Sequence, residues 1–332
     1  MPLVGVPSGG GSGASAAVPP AKGARRPLLA TIVGASSAQS ARKSLWGYLF
    51  IAPWLLGLLL FVAGPILYSL YLSFNEYDII SDPKWVGFRN YSYALAGDSL
   101  FWNSFGRTFY YAIAVVPLGL AASLALALLL NIGLKGTNVY RTLFFLPHLT
   151  PAVAMGILWL WLLHPTLGPV NAGLGALGLG GFPWLTDKET VIPSIILMAL
   201  WSIAGGNQML IFLAGLQGVP RELAEAAEID GAGTWAKFRN VTLPMITPTL
   251  FFNLILGVIG SLQVFTVAFV ATSGGPSYGS WFFALHIYQQ AFANMRLGYA
   301  SALAWLLVIV VLLLTLLNFA LSRKWVFYRG AS

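Results

Sequence analysis

The sequence predicts an all-α membrane protein with six transmembrane helices. Of its 332 residues, 58% are hydrophobic and only 8% are charged, and its mean hydropathy is +0.77, whereas soluble domains carry roughly a quarter charged residues. Six stretches are apolar enough to cross a bilayer core about 30 Å thick, which needs about 20 residues at 1.5 Å each. Because exposed backbone polar groups are costly in lipid, these stretches must be helices.

A polar segment precedes the predicted spans. Residues 1–44 are rich in Gly, Ala, Ser and Pro, with five basic and no acidic residues, and are predicted to form a disordered cytoplasmic tail. The membrane domain is predicted over residues 45–328. Its six spans are predicted at 46–72, 108–132, 142–163, 191–216, 245–272 and 300–321.

Basic residues indicate the orientation. With a cytoplasmic amino terminus, 13 of the 18 Lys and Arg residues face the cytoplasm and five face outside. This positive-inside asymmetry predicts that both termini and the loop 217–244 are cytoplasmic. Orientation therefore explains the net charge of +8 better than nucleic-acid binding, which needs a clustered basic face.

The predicted spans contain no Asp, Glu, Lys or Arg, and His148 is their only ionisable side chain. Ion-coupled carriers and pumps need intramembrane charges as coupling sites or proton relays. A transport path here is therefore lined by neutral polar and aromatic groups, and its driving energy enters from elsewhere. The chain has no cysteine, which excludes disulfides and thiolate metal sites.

The loop 217–244 predicts two short helices. Pro220 suits a first helical position, and Gly231 suits the left-handed residue that ends a helix. About ten residues give a rod of about 15 Å, too short to cross a membrane. Thr234 is predicted to cap the second helix, which leads to Pro244. Glu222, Glu225 and Glu228 form an acidic stripe, which on an arbitrary loop is most often a solvated face.

This loop resembles the EAA loop of ABC importer permeases. Glu225-Ala226-Ala227, three residues, Gly231, nine residues and Val241-Thr-Leu243-Pro244 match its spacing, with Val241 where Ile is commoner. The resemblance implies a MetI-like fold in which this loop, between spans 4 and 5, is a coupling helix that enters a groove on an ATPase subunit. The implied contact residues are Glu222, Glu225, Ala226, Ala227, Asp230, Gly231, Leu243 and Pro244.

Other segments resemble the carbohydrate branch, the maltose and glycerol-phosphate type permeases: residues 46–54, 86–91, 140–147, 213–218 and 272–276. The resemblance implies a multi-pass protein of the bacterial inner membrane that imports a sugar or oligosaccharide. The implied partners are a second permease, two ATPase subunits, an extracytoplasmic solute-binding protein and membrane lipid. ATP and Mg²⁺ belong to the ATPase, and this chain is expected to hold no cofactor.

Two residues at positions matching that branch are candidates for the substrate path. His148 follows Leu146-Pro147, where the branch has Tyr, and Gln263 lies ten residues before Ser273-Gly274-Gly275, at a position that is polar in the family. His and Gln can both donate and accept hydrogen bonds to sugar hydroxyls. A membrane His or amide can equally join two helices, so contact and structural roles stay open for both.

The sequence leaves three alternative functions to consider. The coupling loop is shared by importers of amino acids, peptides, phosphate and glycerol-phosphate, although the absence of intramembrane charge favours a neutral cargo. A membrane-embedded enzyme would need a carboxylate, His or metal constellation, and the chain has no Walker sequence, catalytic triad or metal-ligand cluster. A passive channel would not need a coupling loop.

Overall fold

The computed structural model describes residues 38–133 and 135–327. The chain divides into two compact units, Met1–Ile66 and Leu67–Ser332. Residues 1–37, which make up most of the predicted tail, lie outside the described residues.

The first unit contains one long helix. α1 (Ala38–Leu58) continues through a π-helical turn, Leu59–Ala63, into α2 (Gly64–Ser73), which extends into the second unit. Residues 38–44, predicted as the end of the tail, are therefore helical. Hydropathy marks only the apolar length that a bilayer requires, and the hydrogen bonds of a helix continue past that length.

The described part of the second unit is mostly helical, with one antiparallel strand pair in which Asn75 lies opposite Trp85. After α2 the elements are β1 (Asn75–Glu76), β2 (Lys84–Trp85), α3 (Arg89–Ala96), α4 (Ser99–Leu130), α5 (Thr137–Leu149), α6 (Ala152–Leu162), α7 (Pro169–Ala176), α8 (Val191–Ala204), α9 (Asn207–Gln217), α10 (Arg221–Ile229), α11 (Thr234–Lys237), α12 (Leu243–Met245), α13 (Thr247–Leu262), α14 (Thr266–Ala271), α15 (Phe283–Tyr288) and α16 (Leu297–Ser322). Two further π turns, Phe238–Thr242 and Gln289–Ala293, precede α12 and follow α15.

Four to six helical segments of the described chain could cross a membrane by length and composition. The unbroken candidates are Trp46–Ser73, Ser99–Leu130, Thr247–Ala271 and Leu297–Ser322. The predicted spans 142–163 and 191–216 are each a bent pair of helices, α5 with α6 at 92° and α8 with α9 at 43°. The count is six if each bent pair is one span.

Local chemistry explains both breaks. Pro151 follows Thr150, and a residue before proline is driven to extended backbone; Thr150 has φ −70° and ψ 131°. Gly205 and Gly206 interrupt the second pair, and Gly206 is extended with ψ −158°. Hydropathy predicts apolar length and carries no information about such bends.

α4 begins nine residues before the predicted start of its span. Asp98 caps it, because its carboxylate accepts a hydrogen bond from the Leu100 N–H at 2.9 Å. The longer helix includes Arg107, and α5 likewise includes Arg141. The expectation that spans carry no Lys or Arg therefore holds for the predicted bounds but not for the whole helices.

α4 contributes to all three apolar clusters of the second unit. Phe101, near its start, packs with α3, α15 and α16. Tyr111 and Val115, near its middle, pack with α8 and α14. Ala127 and Leu130, at its end, pack with α9 and Ile246. A helix of this length extends about 48 Å, so α4 joins two distant clusters of the second unit.

Candidate functional site

The predicted coupling segment, residues 217–244, forms the two short helices expected, with small shifts at their starts. Pro220 is the N-cap of α10 rather than its first residue, and α10 runs from Arg221 to Ile229. Gly233 is the N-cap of α11, and Thr234 is the first residue of this helix. No side chain of the described residues caps the helix. The capping prediction for Thr234 is therefore wrong by one position, because the extended backbone of Gly233 already makes the entry into the helix.

Gly231 ends α10 in the left-handed conformation that its position predicts, with φ +81°. The Gly231 N–H donates to the Glu228 carbonyl at 3.0 Å, and the Ala232 N–H donates to the Ala227 carbonyl at 2.9 Å. This pair of bonds is a Schellman motif with Asp230 as the C-cap. Ala227, Asp230 and Gly231 thus shape the backbone end of the helix.

The rest of α10 faces outward. No residue of α10 is buried, and Glu222, Glu225 and Ala226 are exposed. Glu222 and Glu225 form no ion pair within the described residues, whereas Glu228 pairs with Lys237 of α11. That pair ties the two short helices together and leaves the other two carboxylates available to a partner.

Apolar side chains share this exposed surface. Ile229 is 88% exposed and Trp235 is 72% exposed, and Leu223 is also exposed. Exposed apolar groups beside charged ones are typical of protein-protein contact sites. The segment therefore exposes apolar and acidic side chains side by side.

The end of the segment is anchored in the fold. Leu243 packs against the cluster of α4, α9 and Ile246, and Ile246 is fully buried. The Pro244 carbonyl accepts from the Thr247 hydroxyl at 2.7 Å, and the same hydroxyl oxygen accepts from the Phe327 N–H at 2.9 Å. The predicted coupling residues thus divide into those of an exposed helix and the half-buried Leu243 and Pro244, which lie next to the buried Ile246.

His148 lies at the break between α5 and α6, and its side chain is exposed. Its ring meets the break between α8 and α9: a Cβ on Gly206 would lie 2.8 Å from His148 Nδ1. A Cβ on Gly205 would overlap the Phe144 carbonyl oxygen. The two bent helix pairs therefore touch at their bends, and only glycine permits that approach.

Gln263 also lies at a helix break, immediately after α13, and is exposed. It lines a largely apolar groove of about 440 Å³ against α15 and α16, in which Thr315 is the other polar lining residue. His148 packs with α8 and α9 instead, so the structure does not bring the two candidates into one contact cluster. Both nevertheless lie next to the last residue of a helix, and both side chains are exposed.

A larger apolar cavity of about 570 Å³ lies beside the bends, between α4, α5, α6 and α8. Its aromatic lining includes Tyr140, Phe144, Trp159 and Trp201, and the last two rings meet edge to face at 6.3 Å. The buried Trp159 Nε1–H has no hydrogen-bond partner in the described residues. A helix has several faces, and the sequence alone does not indicate that Trp201 faces this cavity.

A buried polar cluster at the start of α4 is absent from the sequence predictions. His286 is fully buried, and its Nε2 lies 2.9 Å from Asp98 Oδ2. The Tyr299 hydroxyl donates to the same carboxylate oxygen at 2.6 Å. The cluster joins α4, α15 and α16, whose members are far apart in the sequence and carry no motif that would link them.

The hydrogen bonds of this cluster define the His286 tautomer. The indole Nε1–H of Trp281 can only donate, and it lies 3.2 Å from His286 Nδ1. Nδ1 therefore accepts, and the single ring proton is on Nε2, directed at Asp98. A protonated ring would place two donors face to face at Trp281.

The pKa directions agree with a neutral ring beside an ionised carboxyl, both outside the candidate spans. Burial lowers the pKa of His286 below its ordinary value, and the opposing effect of Asp98 is smaller. Burial raises the pKa of Asp98. The hydrogen bonds from Tyr299 and the Leu100 N–H, together with His286, lower this pKa by more than burial raises it, so the pKa of Asp98 is below its usual range.

Four to six long apolar helical segments, two of them bent where polar side chains and glycines meet, define a multi-span membrane protein within the described residues. Residues 115–326 match the binding-protein-dependent transport system inner membrane component, and the chain belongs to this family. Its relatives are permease subunits, so it is a transport component rather than an enzyme.

Two relatives carry permease names, and one solved structure shares the fold. The chain is 40% identical to the "Probable ABC transporter permease protein YesP" of Bacillus subtilis (strain 168) over 298 residues, 88% of this chain and 96% of that protein. It is 34% identical to the "Arabinooligosaccharides transport system permease protein AraP" of the same strain over 281 residues, 83% and 88% of the two chains. A bacterial alginate ABC transporter, solved in complex with an alginate pentasaccharide-bound periplasmic protein, matches with a TM-score of 0.76 at 24% identity, covering 86% of this chain and 96% of that chain.

Proposed function

We propose that this chain is the permease subunit of an ATP-driven importer for a sugar or oligosaccharide, and that it is coupled to its ATPase through α10. The observation that carries the proposal is the exposed helix Arg221–Ile229, with exposed apolar side chains and carboxylates that form no ion pair within the described residues. The expected partners are a second permease, two ATPase subunits that hold ATP and Mg²⁺, and an extracytoplasmic solute-binding protein.

The proposed topology takes each bent pair as one span, which gives six spans. An even number places both ends of the membrane domain on one side, and the positive-inside asymmetry assigns that side to the cytoplasm. α10 then lies in the cytoplasm between the fourth and fifth spans, where an ATPase can reach it.

The proposed coupling uses the exposed helix and the half-buried segment that follows it. Glu225 and its exposed neighbours contact the ATPase, and the Schellman end at Gly231 fixes the orientation of the helix. Leu243 and Pro244 connect it to the cluster at the end of α4. ATP-driven movement of the ATPase subunits then moves the packed helices between inward- and outward-facing arrangements.

A neutral cargo is supported by the chemistry of the open faces. His148 and Gln263 can exchange hydrogen bonds with hydroxyl groups, and aromatic rings provide surfaces for a pyranose. The names of the relatives point to saccharides, including an arabinooligosaccharide permease. We place His148 and Gln263 on the translocation path, facing the second permease.

The test is reconstitution of the complete complex with the solute-binding protein that copurifies with it, loaded from a panel of neutral sugars. We expect loaded binding protein to stimulate ATP hydrolysis and sugar uptake. Replacing Glu225 with Gln should reduce the stimulation at least about tenfold, because a charged interface contact is lost. Glu189→Gln is the matched control, because Glu189 is also exposed but lies more than 30 residues before α10 in the chain.

The proposal fails if this chain, purified without any ATPase subunit, moves sugar across the membrane. Its coupling part fails if Glu225→Gln retains the full stimulation while membrane insertion is unchanged.

A further inference from the structure

A polar cavity of about 530 Å³ opens near the start of α4, at the opposite end of that helix from the coupling segment. One wall is the hairpin of β1 and β2 with α3, and the other is the turn that leads into α16. Its charged lining comprises Glu76, Asp78, Lys84, Arg89 and Arg296, three basic and two acidic side chains. We call this cavity and its rim the hairpin surface.

The two walls are fixed to each other. Asn90 Nδ2 donates to the Ser73 and Asn75 carbonyls, each at 2.9 Å. The Gly298 N–H donates to the Tyr77 carbonyl at 3.1 Å, and a Cβ on Gly298 would overlap the Asn75 carbonyl oxygen. The hairpin surface is therefore a preformed part of the fold.

Its basic charge is only partly neutralised from within. Asp78 is engaged in its own turn, accepting hydrogen bonds from the Ile80 N–H, the Ser81 N–H and the Ser81 hydroxyl. The hydrogen bonds from Ser81 hold the pKa of this carboxyl below its ordinary value. Glu76 lies 3.6 Å from Arg89.

Arg296 has no carboxylate within ion-pair distance among the described residues. Its guanidinium carbon lies 5.0 Å from the ring centroids of both Tyr93 and Tyr299. Two aromatic rings hold the cation in place without neutralising it. It can therefore receive a carboxylate with little loss of side-chain freedom.

The rim is apolar and exposed. Ile80, at the tip of the hairpin, is 92% exposed, and Phe88 and Trp85 are 74% and 66% exposed. Its neighbour Ile79 has φ +75°, a conformation that β-branched residues rarely adopt. Exposed apolar side chains around a fixed arginine are the composition of a protein-binding surface rather than of a hydrated loop.

We propose that the hairpin surface docks the extracytoplasmic solute-binding protein, which contributes a carboxylate to Arg296 and an apolar contact to Ile80. The inference rests on the proposed function, which places this end of α4 on the extracytoplasmic side of the membrane. Charge complementarity selects an acidic patch on the partner, and the apolar rim excludes water around the pair.

The test measures ATPase stimulation of the complete reconstituted complex against the concentration of the copurifying, sugar-loaded solute-binding protein. Arg296→Glu should raise the half-maximal concentration about tenfold or more, and Ile80→Asp several-fold. Ile80 has so little packing that its replacement tests docking even if Arg296→Glu impairs folding. Lys188→Glu, an exposed residue outside the hairpin surface, is the matched control and should change the value less than about twofold.

Added salt should weaken docking of the wild type more than that of Arg296→Glu, because exposed charge pairs are screened. The inference is overturned if both variants keep the wild-type concentration dependence, or if Lys188→Glu weakens docking equally. A wild-type complex that no loaded binding protein stimulates contradicts the proposed function itself, whereas stimulation that is insensitive to the variants removes only the docking surface.

Discussion

At the scale of single residues, Gly231 shows how a local signal fixes a functional backbone. Its left-handed φ allows two hydrogen bonds that end α10, and a Cβ at this position would meet no atom within 4 Å. Any effect of a substitution there comes from backbone strain rather than from a clash. A substitution of Gly231 therefore measures the cost of backbone conformation without any contribution from a steric clash.

We expect Gly231→Ala to destabilise the end of α10 by about 1–2 kcal/mol, the cost of a left-handed conformation for an ordinary residue. Hydrogen exchange of the Ala232 amide should accelerate, and stimulated ATP hydrolysis should fall. Gly231→Asn is the matched control, because Asn tolerates this conformation, and it should remain close to wild type. Equal exchange rates for Ala and Asn would contradict the role of the Schellman motif.

Gly205 tests a different requirement, the close approach of two bent helix pairs. We expect Gly205→Ala to lower the folded yield and the melting temperature, since overpacking against the Phe144 backbone costs about 1–3 kcal/mol. Gly260→Ala provides the control, because a Cβ there meets nothing within 4 Å. Similar thermal stability of the two variants would show that the bends do not need this contact.

Residue-level prediction from the sequence succeeds where the chemistry is local. Pro220 as a start signal and Gly231 as a stop signal predicted a helix that ends at Gly231, because capping depends on adjacent residues. The pairing of Asp98 with His286 could not be predicted, because the residues are 188 positions apart and no motif joins them. The contact roles of His148 and Gln263 stay predictions, although both lie at helix breaks.

At the scale of elements, hydropathy identified the six apolar stretches but not their shapes. Apolar length predicts a helix, whereas the 92° bend depends on Thr150 before Pro151 and the 43° bend on two glycines. The early start of α4 depends on Asp98 as a cap, which composition averages conceal. Bends and caps therefore decide which polar groups reach the open faces.

The cluster of Asp98, His286 and Tyr299 predicts how the packing of α4, α15 and α16 depends on pH. Both folded-state pKa values lie below the ordinary values of 3.8 for Asp and 6.5 for His. A depressed folded pKa adds stability above the unfolded value, and that stability is lost as the pH falls. His286 should therefore begin to destabilise the fold once the pH drops below about 6.5.

We expect the melting temperature of the purified complex to be lower at pH 5 than at pH 7.5. His286→Gln should be less stable at pH 7.5 but lose less on acidification, since Gln can donate to Asp98 and accept from Trp281 without titrating. A wild-type melting temperature that is equal at both pH values would contradict the neutral, buried ring.

At the scale of the whole molecule, α4 connects the two proposed interaction ends. Its first turn carries the Asp98 cluster beside the hairpin surface, and its last turn packs with Leu216 and Ile246 beneath the coupling segment. The proposed import cycle requires these ends to lie on opposite sides of the membrane. The sequence predicted this arrangement from charge asymmetry, but only a topological measurement can test it.

The most direct measurement is labelling of single cysteines with a membrane-impermeant maleimide, since the natural chain has no cysteine to add background. Ile229→Cys and Ile80→Cys replace side chains that are 88% and 92% exposed. The proposal predicts that residue 229 is labelled only in inside-out vesicles and residue 80 only from the outside of intact cells. Labelling of residue 229 from outside would contradict the placement of α10 against an ATPase.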